Sequence, residues 1–354
     1  MQGAITLRSA RCQSAYWGDG DLRLVNYLTR VEYAANPIVL EIIRFFFSPR
    51  TIRDALLEFH AYSPESVGEA ILKLIDAQLL LECDSPEAAR DDLLDSLWRP
   101  WLPHGGYHFL TKDAPYAGDD WTLEQKMQAI ADAPQPPLFK KTDGAKSMPL
   151  PLHEKETDSF FSTLHARRTR RIFSQEPASL ESVSKLLQTT WGVQGYIESP
   201  GLGLLALKTS PSGGARHPIE VYLMALRVDG LDPGLYHYDV RDHALELISS
   251  GATPQMARDY CADQPYAADA AALFIMTGVF ARTMWKYRHP RAYRVVLLDA
   301  GHLGQTFCLT ATRLGLAPFS TAALKDTLIE RDLGIDGISE SVLYVTGIGM
   351  PPEQ

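Results

Sequence analysis

Lys208-Thr-Ser-Pro-Ser-Gly-Gly-Ala-Arg-His-Pro-Ile-Glu-Val-Tyr222 reads as a loop that runs straight into a buried strand. Proline fixes its own φ and biases the preceding residue away from helix, so Ser210-Pro211 opens an extended turn. Gly213 and Gly214 let the backbone approach something flat or crowded, with no Cβ in the way. After Pro218, Ile219-Glu-Val-Tyr-Leu-Met-Ala-Leu226 has the β-branched and aromatic bias of a central strand. Such a loop presents several backbone N–H groups and one cation, Arg216. That suits the acceptor-rich edge of an electron-poor ring, such as a flavin pyrimidine. A tight Gly-rich connection with no ligand fits the same string.

Downstream, Gly230 to Gly234 turn the chain into Leu235–Asp239, and His243–Ser249 follows, so a meander is expected. Ala270–Thr277 is a fully apolar strand, and Arg282-Thr-Met-Trp-Lys-Tyr-Arg288 comes after it. A long helix is expected from about Tyr293 to Leu314, with Val296, Ala300, Leu303, Phe307, Ala311 and Leu314 on one stripe. Gly301 and Gly304 on that helix permit close approach by another helix or a ring. The chain returns to the sheet through 315–324, adds a helix near 326–333, and closes on the strand Val342–Thr346. Upstream lies a helix around Asp158–His165, and then Arg167-Arg-Thr-Arg-Arg-Ile-Phe173. If that run is extended, Arg167, Thr169 and Arg171 share one side, a good phosphate clamp, while Arg168 and Arg170 face away. A solvated basic patch would look the same. Ser179 caps a further helix that carries Val183, Leu186 and Leu187 inward.

The first hundred residues form a different pattern. Ile38, Ile42, Ile43 and Phe46 recur at helical spacing, Thr51 caps a second helix, and Ser63-Pro-Glu opens a third. With the apolar run Gln78–Leu81 behind them, they suggest a winged helix-turn-helix. Its third helix shows Glu65, Glu69 and Asp76 to solvent against Lys73, which repels phosphate, so nucleic acid is not the expected partner. An exposed strand edge in such a module could take a peptide as an added strand; simple packing on a neighbour is the alternative. Residues 84–100 are an acidic helix or linker, and Trp98, Trp101, Tyr107, His108, Phe109, Tyr116 and Trp121 make the following connection aromatic. Gly105-Gly106 separates His104 from His108, so no metal site is expected there or elsewhere. Ala133–Pro137 through Pro149–Pro151 has the composition of an exposed tether. The expected domains are therefore 1–100, a connection over 101–154, and 155–354.

Composition narrows the function classes. The 354 residues are 45% hydrophobic and 22% charged with net charge −9, a poor match to nucleic-acid or anionic-membrane binding. No apolar run has the length of a bilayer span, and Met1–Arg8 lacks a signal-peptide core. Cys12, Cys83, Cys261 and Cys308 are scattered without a C-x-x-C pair, which points to a reducing compartment and a cytoplasmic location.

Five separated motifs agree in order and spacing: 167–173, 210–218, Trp285-Lys-Tyr287, Asp299-Ala-Gly-His-Leu-Gly-Gln305 and Thr346-Gly-Ile-Gly349. Together they resemble the FMN-dependent nitroreductase superfamily, and within it the SagB/ThcOx-type dehydrogenases of ribosomal peptide maturation. His108-Phe-Leu-Thr-Lys112 and the winged-helix front end look like the same branch. The resemblance implies an α+β fold: a nitroreductase-like mixed sheet flanked by helices, preceded by a small winged helix-turn-helix-like domain. It implies FMN, with Arg167, Thr169 and Arg171 on the phosphate and ribityl chain. Pro211, Ser212, Gly213, Gly214, Ala215 and Arg216 would line the pyrimidine edge, and Thr321, Ala322 and Ala323 the N5 side. Lys286 and Tyr287 match a Lys-Tyr pair used for proton removal, although an ion pair would equally occupy Lys286. The implied reaction is oxidation of thiazolines or oxazolines to azoles in a precursor peptide, leader and core, by a homodimer acting beside a cyclodehydratase or other maturation enzyme. An NAD(P)H-fed reductase of dehydroamino acids, nitro compounds or quinones is one alternative. A flavin-free peptide-binding scaffold is another.

Overall fold

The structure, a computed structural model, describes residues 5–113, 128, 159–199 and 203–352. The expected tether, with Tyr116 and Trp121, lies outside the described residues. The chain begins β1 (Thr6–Ser9), β2 (Gln13–Gly18), β3 (Asp21–Asn26), β4 (Glu32–Ala35), α1 (Ile38–Phe45), β5 (Arg50–Thr51) and α2 (Ile52–Glu58). Next come α3 (Pro64–Asp76), β6 (Leu80–Glu82), α4 (Pro86–Trp98) and the short α5 (Gly106–Leu110). The second half opens with α6 (Ser159–Ala166), β7 (Ala178–Ser179), α7 (Leu180–Trp191), β8 (Val193–Ser199), β9 (Gly203–Lys208) and β10 (Ile219–Ala225). It continues with β11 (Val228–Asp229), β12 (Gly234–Asp239), β13 (Ala244–Ser250), α8 (Pro254–Tyr260), α9 (Pro265–Ala268), β14 (Ala272–Val279) and α10 (Phe280–Met284). The last elements are α11 (Tyr293–Arg313), β15 (Ala317–Thr321), α12 (Asp326–Leu333) and β16 (Glu340–Gly349).

Local chemistry sets the helix starts. Thr51 and Asp54 exchange side-chain and backbone hydrogen bonds in a capping box at α2. Ser63 and Ser85 cap α3 and α4 just ahead of a proline in the first turn, where the missing N–H is no loss. Val67, Ile71 and Leu74 of α3 then pack on Leu7, Ile42, Phe46 and Leu80, and the strands order as β5-β1-β6. The front unit is therefore winged helix-turn-helix-like. As the sequence implied, Glu65, Glu69 and Asp76 point outward on α3, and Lys73 pairs with Glu69 at 2.6 Å.

The second half is built on a six-stranded sheet ordered β13-β12-β10-β14-β16-β15, with antiparallel neighbours throughout. Among the described residues, parallel pairing is confined to β7 with β11. β14 is buried along nearly its whole length, which is why it reads as an unbroken apolar run. α11 lays Val296, Ala300, Leu303, Phe307 and Ala311 on the sheet. Gly304 admits the ring of Tyr344: a Cβ there would lie 2.7 Å from it, whereas Gly301 faces open space. Trp98, Trp101 and Phe109 are buried in the same core as Phe280 and Trp191.

Two further β-units carry weak sequence signals, Leu22-Arg-Leu-Val25 being the strand-like piece of the first. Residues 13–35 form the meander β2-β3-β4, and 193–208 the hairpin β8-β9. Tyr196, Ile197, Leu204 and Leu207 on that hairpin are exposed, so its sequence carries no two-residue burial rhythm. No helix among the described residues is long and apolar enough to cross a membrane.

Candidate active site

The turn before β10 is held from below. Ser212 Oγ donates to the Asp299 carboxylate at 2.5 Å and the Gly213 N–H donates to it at 3.3 Å. The His217 N–H in turn donates to Ser212 Oγ at 2.9 Å. Gly214, Ala215 and His217 all have positive φ, at 63°, 54° and 43°, so the backbone curls tightly here. Arg216 donates to the Gly214 carbonyl at 2.9 Å and lies 5.1 Å over the Trp285 ring. A Cβ on Gly214 would sit 2.6 Å from Tyr287 Oη and 2.8 Å from Lys286 Nζ. The Lys-Tyr pair thus closes directly onto this turn. Burial pushes the Asp299 carboxyl up, with the hydrogen bonds from Ser212 and Gly213 opposing it.

A second group forms at the end of β15. Arg171, Gln264, Tyr266, Thr321, Ala322 and Ala323 line a cavity of about 460 Å³, together with Tyr344. The Arg171 guanidinium lies 5.3 Å over the Tyr266 ring, and Thr321 Oγ1 accepts from Gln264 and from the Ala323 N–H, both at 3.1 Å. Backbone bonds hold the arginine run in place: the Arg170 N–H donates to the Pro318 carbonyl and the Ser174 N–H to that of Met350. A neighbouring hollow of about 660 Å³ shares Arg171 and is lined by Thr169 with Arg168 and Arg170. Residues 167–174 are not in a paired strand, and Arg168 and Arg170 line that hollow together with Thr169 and Arg171. Arg168 also donates to the carbonyls of His165 and Arg167. Arg167 lies near Cys308 of α11; burial pushes that thiol up and the arginine pulls it down.

The structure therefore joins Pro211–Arg216 to Lys286 and Tyr287, and joins Arg171 to Thr321, Ala322 and Ala323. Arg167 lines neither cavity, and Thr169 lines only the neighbouring hollow. Ile219 pairs with Gly278 and Gly278 with Ser341, while Thr321 pairs with Val345, so both groups emerge toward one end of the sheet. β14 and β16 lie between β10 and β15, a lateral separation of about 14 Å at the usual strand spacing.

The described basic residues around both groups are largely without carboxylate partners, Arg168, Arg170, Arg288, Arg291 and Arg294 included. Among the described residues Arg167, Arg171, Arg216 and Lys286 have no carboxylate within ion-pair distance, in a chain of net charge −9. Arg282, four residues before Lys286, is held by Glu220 at 2.5 Å and donates to the His217 carbonyl. Burial pushes the Glu220 carboxyl up, but His237 and Arg282 outweigh it and leave it below the usual range. Sequence reasoning assigned no role to Asp299, Gln264 or Tyr266. For Asp299 a signal existed, since an acid falling on the buried stripe of α11 needs donors.

Residues 164–350 match the nitroreductase family. The chain belongs to that family. Both residue groups lie within the matched span, and the front unit with Trp98 and Trp101 lies outside it. The chain is similar to the trifolitoxin-processing protein TfxB of Rhizobium leguminosarum bv. trifolii, with 27% identity over 327 residues, 87% of this chain and 86% of the relative. It is also similar to the microcin B17-processing protein McbC of Escherichia coli, with 27% identity over 176 residues, 48% of this chain and 62% of that one. Among solved structures, the E. coli microcin synthetase McbBCD complex with truncated pro-MccB17 bound gives a TM-score of 0.49 at 22% identity, covering 76% of this chain and 95% of that one.

Proposed function

We propose that this member of the nitroreductase family is an FMN-dependent dehydrogenase that oxidises azolines to azoles in a ribosomally made precursor peptide, and that it works as a homodimer. The observation that carries the reading is the closure of an unpaired lysine and a tyrosine onto the Gly214 turn, leaving no room for a Cβ. The peptide substrate is supported by the relatives, whose names describe processing of trifolitoxin and of microcin B17.

The residues present fit FMN. A phosphate calls for cations without carboxylate partners, and Arg171 is such a cation in a cavity with a threonine hydroxyl. In this reading Arg167, Thr169 and Arg171 hold the phosphate and ribityl chain. Pro211 to Arg216 meet the pyrimidine edge, where Arg216 offsets negative charge, and Thr321 to Ala323 face the N5 side. FMN, when bound, supplies the two-electron acceptor for the hydride that leaves the substrate β carbon. Lys286 and Tyr287 take the proton from the α carbon, so the ring loses one proton and one hydride and becomes aromatic. Leu297 and Leu298 are exposed on α11 beside the open Gly301, which supports a second copy seated on that helix and completing the site.

The front unit would recognise the leader peptide or a partner maturase. A groove of about 580 Å³ runs between α3 and β4, floored by Leu24, Val39, Ala70 and Leu74 and rimmed by Glu69 and Lys73. β4 is an edge strand of its sheet, so an extended peptide has backbone groups to pair with. Four free cysteines fit a cytoplasmic location.

The test is incubation of the FMN-loaded protein with a defined azoline peptide in air, alongside Lys286→Ala. The expected result is loss of two hydrogens per ring by mass, abolished in the variant while its flavin content is unchanged. An unaltered azoline peptide together with rapid bleaching of the flavin by NAD(P)H would establish a reductase instead.

A further inference from the structure

Lys286 and Tyr287 sit at the end of the short α10, on a segment with little regular structure of its own. The Tyr287 N–H donates to the Thr283 carbonyl at 2.9 Å. Its carbonyl is held by a residue from far away in sequence: the indole N–H of Trp101 donates to it at 3.0 Å. Trp101 is 0% exposed and packs with Phe280 and Tyr293, the residues that flank the Lys-Tyr segment on either side. It belongs to a strap, residues 98–113, that is bonded along its length to the nitroreductase half. The Trp98 indole donates to the Ile338 carbonyl at 2.9 Å, His108 bonds Tyr293 and Ser341, and Lys112 pairs with Glu330 at 2.8 Å. The strap is also tied to the front unit through Arg30 and Asp113 at 2.8 Å.

We propose that Trp101 is a positioning residue: its indole N–H fixes the backbone of Tyr287 and so sets how Lys286 and Tyr287 close on the Gly214 turn. The inference rests on the proton-removing role given to that pair. A part-buried carbonyl prefers a donor, and the Trp101 N–H adds to the Lys286 and Tyr287 N–H bonds to Thr283 the one contact that fixes the Tyr287 carbonyl. Trp101 lies outside the 164–350 family span, so the pair is set here by a part of the chain that the family fold does not supply. Trp98 provides the internal comparison. It is equally buried, sits on the same strap and makes the same kind of bond, but to Ile338 and not to the Lys-Tyr segment.

Full-length Trp101→Phe and Trp98→Phe each keep an aromatic ring and lose one indole donor. In the flavin-free proteins, amide hydrogen exchange over 285–289 is expected to quicken in Trp101→Phe and to stay at the wild-type rate in Trp98→Phe. In the FMN-loaded proteins, Trp101→Phe is expected to lower kcat on an azoline peptide by roughly 10-fold or more, with KM and flavin content unchanged. Trp98→Phe should lower kcat far less. Equal behaviour of the two variants overturns the proposal, and so does faster exchange with unchanged kcat. Should Trp101→Phe fail to fold, a benzothienyl-alanine at 101 removes only the N–H and is read the same way. Lys286→Ala, measured alongside, separates the failures. Full turnover in that variant sinks the proton-removing role and this inference with it. An inactive Lys286→Ala beside an unaffected Trp101→Phe sinks this inference alone.

Discussion

Gly214→Ala separates a structural glycine from one whose absence of a side chain serves the reaction. The residue stands at φ 63°, where an L side chain costs roughly 1–2 kcal/mol. The new methyl would lie 2.6 Å from Tyr287 Oη and 2.8 Å from Lys286 Nζ, against an ordinary contact of about 3.5–4 Å. Both contacts are the far ends of side chains, so the fold survives if the pair retreats by about 1 Å. Stability should therefore fall only by the φ term, read from urea denaturation of the flavin-free protein. Turnover should fall much further, because misplacing a catalytic group by about 1 Å can cost on the order of 100-fold. A Gly214→Ala protein that loses stability yet oxidises azoline peptide at the wild-type rate would show that the pair's closure on the turn has no part in the chemistry.

Two further outcomes follow from the same geometry. Asp299→Ala strips the acceptor from the Ser212 hydroxyl and the Gly213 N–H, and should lower the unfolding free energy by about 1–3 kcal/mol and weaken FMN binding in a fluorescence titration. Unchanged FMN affinity would mean that the turn keeps its shape without that carboxylate. The other outcome concerns pH. His237 is raised to about 9, chiefly by hydrogen bonding to Glu220, with burial opposing and Glu246 adding to the rise. Its folded pKa lies above the unfolded value, so its contribution is complete below about pH 6.5 and is lost as pH climbs through about 9. His237→Gln should accordingly flatten the decline of Tm over that alkaline window; an identical decline in both proteins would contradict the assignment.

The elements that organise the second half were legible because burial imposes a rhythm on them. α11 carries its stripe at helical spacing, β14 is buried on both faces, and α2, α3 and α7 announce their starts with hydroxyl caps. The hairpin β8-β9 and the strand β2 were illegible for the opposite reason: much of their side-chain surface is exposed. The Gly-rich turn, the Lys-Tyr pair and the arginine run could be found from residue types at fixed spacing. What joins them could not. That Lys286 reaches Gly214, or that Arg171 shares a cavity with Thr321, depends on strand order across β10, β14, β16 and β15. The alternation given to Arg167–Arg171 depended on an extended run, and the backbone bonds that hold it, to Pro318 and Met350, come from segments far away in sequence. Asp299 was visible only as part of a motif, because a carboxylate on a buried stripe says that donors exist without saying which.

The central claim is that the Arg171 cavity and the Gly214 turn together hold FMN. The most direct measurement is the flavin bound per chain after the purified protein is stripped, incubated with FMN and freed of excess, for wild type and for Arg171→Gln. The account predicts one FMN per chain in the wild type and a clear loss in the variant. A well-folded wild type that retains no flavin, or an Arg171→Gln protein that retains as much, would contradict it.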